Sequence, residues 1–114
     1  MTISIETNSG ATIVHCRDVS NIDSYVELKH TMKKLFDEGK YEVIFDFNET
    51  EYMSSMGIAV IIECVIKGKE NKGNVRICGV HKRIEKIMKT LGVYRQMPVF
   101  ETIEDALSDV KKIV

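Results

Sequence analysis

Short apolar runs of strand character alternate with stripes of helical spacing along nearly the whole chain, and few folds accommodate that order. Ile3–Ile5 and Ala11–His15 alternate as strands around Asn8-Ser9-Gly10, a composition suited to a hairpin turn. Tyr25, Leu28, Met32, Leu35 and Phe36 then recur at helical spacing, with Gly39 as the stop. Glu42–Phe47 reads as a short apolar strand. Ile58, Ile61, Ile62 and Val65 mark a second helix that runs out between Gly68 and Gly73, and Val75–Val80 gives another strand. Ile84, Ile87, Met88 and Leu91 form a third stripe closed by Gly92 in a C′-type position. Pro98-Val99-Phe100 is a brief extended piece. The last helix carries Ile103, Ala106, Leu107 and Val110, and Thr102 and Asp105 have capping-box spacing. Strands separated by helices of this length imply βαβ crossovers, hence an α/β fold with a mixed, mainly parallel sheet, an N-terminal hairpin and about four helices.

At 114 residues the chain is expected to form a single domain over 1–114, with no repeat and no linker long enough to divide it. Its 16 basic and 17 acidic residues argue against a protein built around nucleic-acid phosphates. The charge is uneven: Glu63–Arg95 holds nine Lys/Arg against three acids, whereas Tyr41–Ser55 has four acids and no base. The basic residues Lys67, Lys69, Lys72, Arg76, Lys82, Arg83, Lys86 and Lys89 read as solvated helix surface, with only Tyr94 nearby for stacking. No apolar run approaches the roughly 18 residues of a membrane span, and the start lacks signal-peptide character. Cys16, Cys64 and Cys78 are odd in number and show no C-x-x-C spacing, which suggests reduced core residues in a cytoplasmic protein. The three histidines are too scattered to propose a metal site, and nothing calls for a cofactor.

The chemistry concentrates after the Glu42–Phe47 strand. Loops at the C-terminal ends of parallel strands are where α/β sheets place their sites, and Asn48–Ser55 is such a loop. Ser54 and Ser55 open an apolar helix, where N–H groups and the helix dipole favour a phosphate. A serine at that place is also an ordinary N-cap. Neither serine has Glu or Gln three residues on, so the reciprocal capping box is absent. Gly57 would let a partner or phosphate approach the backbone closely. Met53 and Met56 flank the pair and suit either a core or an adaptable interface.

The strand, the pair Tyr52-Met53 and the run Ser54-Ser55-Met56-Gly57-Ile58-Ala59-Val60-Ile61-Ile62 resemble the signature loop and helix of STAS domains, the anti-sigma factor antagonists and their relatives. There the pattern reads Asp-Ser-Ser-Gly-Leu-Gly followed by apolar residues. The hairpin, the Gly73–Ile77 strand, Leu91-Gly92-Val93 and Val99–Leu107 fall in the family's order. The resemblance implies a non-enzymatic bacterial regulator that binds an anti-sigma factor, itself a serine kinase, and so releases a sigma factor. Phosphorylation by that kinase blocks binding, and a PP2C-type phosphatase restores it. The resemblance puts the phosphorylated residue at Ser55, with Ser54 as the alternative acceptor. It implies a partner-binding surface of Asn21, Asp23, Glu49, Glu51, Met53, Ser54, Ser55, Met56 and Gly57, with no direct contact to nucleic acid or membrane.

Two signature positions depart from the pattern. The signature Asp falls on Ser54, and the second signature serine falls on Met56. A further family Asp falls on Asn21, with Asp23 as a substitute. Ser20 and Asp23 have capping-box spacing, so Ser20 is expected to cap the first helix, and Asn21 stays open between cap and site. A phosphate on Ser55 would add a charge of about −1.5 to −2 to an acidic patch of Asp46, Glu49 and Glu51. Weakening a partner a hundredfold requires about 2.8 kcal/mol. A STAS module that is never phosphorylated, serving as a scaffold or as a binder of nucleotide or lipid, is the second reading. A serine hydrolase is the third, but Gly-x-Ser-x-Gly is absent around Ser55.

Overall fold

The two-residue turn Ser9-Gly10 sets the edge of the sheet. Both residues have positive φ, 55° and 84°, as the hairpin turns that match strand twist require. In the computed structural model, which describes residues 2–113, this turn joins β1 (Ile3–Asn8) to β2 (Ala11–Cys16) in an antiparallel pair. β3 (Glu42–Asp46), β4 (Asn74–Cys78) and β5 (Val99–Phe100) then add in parallel, giving the order β1-β2-β3-β4-β5. The mixed sheet expected from the pattern is present, with β3 and β4 each ending one or two residues earlier than their apolar runs.

Each parallel step carries its connecting helix to the same face, as the right-handed crossover rule predicts. α1 (Ile22–Asp37), α2 (Ser55–Glu70), α3 (Lys82–Thr90) and the single turn α4 (Val93–Gln96) cover that face. Leu28 and Phe36 of α1, Ile58 and Ile61 of α2, and Ile84 and Met88 of α3 meet Val14, Val43, Phe45 and Ile77 there in one core. α5 (Ile103–Ile113) lies alone on the opposite face, where Ala106 and Val110 close over Ala11, Ile13, Ile44 and Cys78. Among the described residues five helical elements therefore stand where about four are expected, because Val93–Gln96 is too short to show a periodic stripe. Gly92 is the C′ residue of α3, with φ 78° in the left-handed region.

Two expectations are corrected. The cap of α1 is Asn21, not Ser20: Asn21 Oδ1 accepts the Ser24 N–H at 2.9 Å, and Ser24 Oγ in turn accepts the Asn21 N–H at 3.2 Å. Ser20 is drawn instead to Asp18, whose Oδ1 accepts both its N–H and its hydroxyl. Arg76 is the second correction, since it is only 1% exposed and cannot belong to a solvated basic surface. On the α5 side of β4 its Nε donates to Asp109 at 2.7 Å and its Nη1 to Glu42 at 2.7 Å. The three cysteines are buried and unpaired, as expected, and burial pushes each thiol up to about 12, so all are neutral.

Candidate functional site

Two successive crossovers meet at the C-terminal ends of β2 and β3. Val19, in the loop after β2, makes a parallel bridge with Met53, in the loop after β3. The Val19 carbonyl accepts the Ser54 N–H at 2.9 Å. Beneath them, Thr50 is fully buried and donates its hydroxyl to the Cys16 carbonyl at 2.6 Å. The loop carrying the serines is thus pinned to the loop that leads into α1. Asn21 and Asp23, both exposed, sit at the start of that helix beside it.

The two serines have different tasks. Ser54 is the N-cap of α2, and its Oγ accepts the Gly57 N–H at 3.1 Å. Ser55 is the first residue of the helix; it is exposed, and among the described residues its hydroxyl has no hydrogen bond. The first turn of α2 contains no acidic residue, so the positive end of its dipole lacks a negative side chain there. Alanine at the two positions should therefore act oppositely. Ser54→Ala removes a cap and should cost about 1 kcal/mol of unfolding free energy, whereas Ser55→Ala should change it by less than about 0.5 kcal/mol. Denaturant titration of the two variants checks this, and equal losses would refute the division of labour.

The remaining candidates divide by exposure. Glu49, Glu51 and Met56 are on the surface, Met56 with 43% of its area exposed. Met53 is a core residue at 8%, and Gly57 is buried, so both shape this surface from behind. The close approach that Gly57 permits is internal. A Cβ there would stand 2.5 Å from Val19 Cγ1 and 3.2 Å from Met53 Cγ. Ile22 and Val26 in the first turns of α1, and Tyr52 on the serine loop, are exposed apolar residues, and the Arg83 guanidinium lies 4.9 Å from the Tyr52 ring centre.

The acidic patch expected from the sequence is dispersed. Glu42 holds Arg76 on the far side of the sheet, and Glu49 pairs with Arg17 at 3.1 Å. Asp46 is 8% exposed and faces His15, whose Nδ1 lies 2.6 Å from its Oδ2. Only Glu51 remains as a free carboxylate on the serine loop among the described residues, in a cleft with His81, Lys82 and Arg83. Asp18 and Thr50, which order the two loops, escaped the sequence reading. Neither lies on a periodic stripe, although a lone Thr between charged loop residues hints at a buried hydroxyl.

The STAS domain pattern matches residues 2–106 of this chain. The chain belongs to the STAS domain family. Over 97% of its length it is 21% identical to BtrV of Bordetella bronchiseptica, which carries the name of an anti-sigma factor antagonist and is covered over 96%. This STAS fold superposes with a TM-score of 0.89 on a Thermotoga maritima protein assigned to the same role, at 14% identity, covering 96% of this chain and 94% of the other. It matches the phosphorylated form of SpoIIAA, a cell fate determinant of Bacillus, with a TM-score of 0.77 at 13% identity, covering 95% and 98%. The STAS assignment bears out the reading of a non-enzymatic domain. Among the described residues no group of side chains is arranged to hold a metal ion, and no helix is long and apolar enough to cross a membrane.

Proposed function

We propose that this STAS domain is a bacterial, cytoplasmic anti-sigma factor antagonist. It binds an anti-sigma factor kinase through Glu49–Met56 and the start of α1, and phosphorylation of Ser55 switches that binding off. A PP2C-type phosphatase resets it. The observation that carries this reading is the free, exposed Ser55 hydroxyl at the first position of α2, beside a serine already committed to the cap. A phosphate there finds the unfilled positive end of α2 and needs no change of fold. The partner then meets a dianion where it had met a hydroxyl. Desolvating that charge against a fitted surface readily reaches the roughly 2.8 kcal/mol of a hundredfold loss. With the acidic patch dispersed, the clash rests on the phosphate itself and on Glu51.

Incubation with an anti-sigma factor kinase and ATP, followed by phosphopeptide mass spectrometry, should place the modification on Ser55 in the wild type and abolish it in Ser55→Ala. Ser55→Asp should bind the unphosphorylating partner at least tenfold more weakly than the wild type. Wild-type affinity in Ser55→Asp would overturn the charge mechanism, and phosphate on Ser54 would move the switch to the cap. A second reading, a module for a small ligand, draws on the groove between α1 and α2. It encloses about 560 Å³ over Met32, Phe36, Val60 and Cys64, within the size range of small-ligand sites.

A further inference from the structure

On the α5 face of the sheet, one imidazole stands between two carboxylates. His15, on β2, places Nδ1 2.6 Å from Asp46 Oδ2 on β3 and Nε2 2.8 Å from Glu6 Oε1 on β1. A ring nitrogen donates only when it carries a proton, so both contacts are hydrogen bonds in the imidazolium alone. The other carboxylate oxygen of Asp46 faces the serine loop. Its Oδ1 accepts the Asn48 N–H at 3.0 Å and the Asn48 Nδ2–H at 2.9 Å. Asn48 is seated closely: a Cβ on Gly79, where φ is +73°, would lie 2.5 Å from Asn48 Oδ1. The chain of contacts ends at the N-cap of α3, where His81 Nε2 lies 2.7 Å from the Asn48 carbonyl.

We infer that His15 is a positioning residue for the Asn48–Ser55 loop, acting through Asp46 and Asn48 and tying partner binding to its own protonation. The inference rests on the function proposed above for that loop. With the imidazolium in place, Asp46 is oriented and its nearly buried charge is offset. When the ring loses a proton, one carboxylate faces a lone pair and the cation beside Asp46 is gone. Burial lowers the affinity of His15 for its proton, but the hydrogen bonds and charges of Glu6 and Asp46 outweigh that, so its pKa stands above 6.5. The clamp is therefore complete below about 6.5 and loosens as pH rises through the elevated value. The other groups facing this network are Cys78, whose thiol is 3.9 Å from Asp46 and is neutral at any relevant pH, Glu104 of α5 near Cys78, and His81.

The test begins with the protein alone. Two-dimensional amide NMR across the His15 titration should show the Asn48 and Glu49 signals moving with the His15 ring in the wild type and in His81→Gln. His15→Gln keeps a donor for Asp46 and, combined with His81→Gln, should hold the loop signals in place without the pH response. His15→Leu has no donor and should shift them. With the anti-sigma factor kinase, wild-type affinity should fall at least threefold as pH rises through the titration, His15→Gln should be flat, and His15→Leu should bind at least tenfold more weakly. A pH response of Asn48 that survives in the His15→Gln, His81→Gln double variant, or loop signals untouched in His15→Leu, would overturn the inference. A kinase that binds no variant at any pH, with the NMR response intact, would instead count against the proposed partner.

Discussion

Arg76→Ala should lower the unfolding free energy by about 3 kcal/mol, the low end of what breaking a buried ion pair costs. The guanidinium is 1% exposed and supplies a charge to both Glu42 and Asp109. Those carboxylates keep about a third of their side-chain surface, 31% and 33%, so water offsets part of their loss and the larger values are not expected. The substitution also empties the space of a long side chain between β4 and α5, where the apolar core is small. Amide hydrogen exchange should localise the damage, with α5 losing protection before α1 or α2. Arg76→Met keeps most of the volume and should lose less than alanine does. A loss below about 1 kcal/mol for Arg76→Ala would show that α5 holds to the sheet by its apolar contacts alone.

Gly57→Val should destabilise by about 2–3 kcal/mol through overpacking, and it should act on the serine loop as well. The added atoms meet Val19 Cγ1, and Val19 is fully buried and stiff at χ1. Relief must come from moving α2 away from the loop before α1, which strains the Ser54 to Val19 bond. Removing the obstacle should restore much of the loss. In a double-mutant cycle, Val19→Ala combined with Gly57→Val should be more stable than the sum of the single effects predicts. Strict additivity would mean that the two residues do not share the constraint, and that Gly57 is there for another reason.

Local chemistry was legible in the sequence where a residue's role depends on its near neighbours. Ser9-Gly10 and Gly92 announced their positive φ, and the serine pair announced a helix start with a loop before it. Roles set by distant partners were not legible. Arg76 lies among lysines in the chain, and its carboxylates are 34 and 33 residues away. Asp46 read as part of an acidic run, but the register of β3 against β2 turns it to His15, 31 residues earlier. Asn21 and Ser20 both have a polar residue three positions on, so spacing alone could not choose between them. The buried Ser24 decided it. Met53 and Met56 carry the same side chain beside the same serines, and only the bridge to Val19 sends the first into the core.

The bond between Ser54 and Val19 joins segments that lie on either side of a whole helix and strand. A nascent chain that has emerged as far as Met56 contains every atom of the surface but not the surface itself, because β3 must first dock beside β2 to bring the loops together. Recognition by any partner that reads both loops is therefore also an inspection of completed folding. A partner of that kind is blind to unfinished or misfolded copies and binds finished molecules alone.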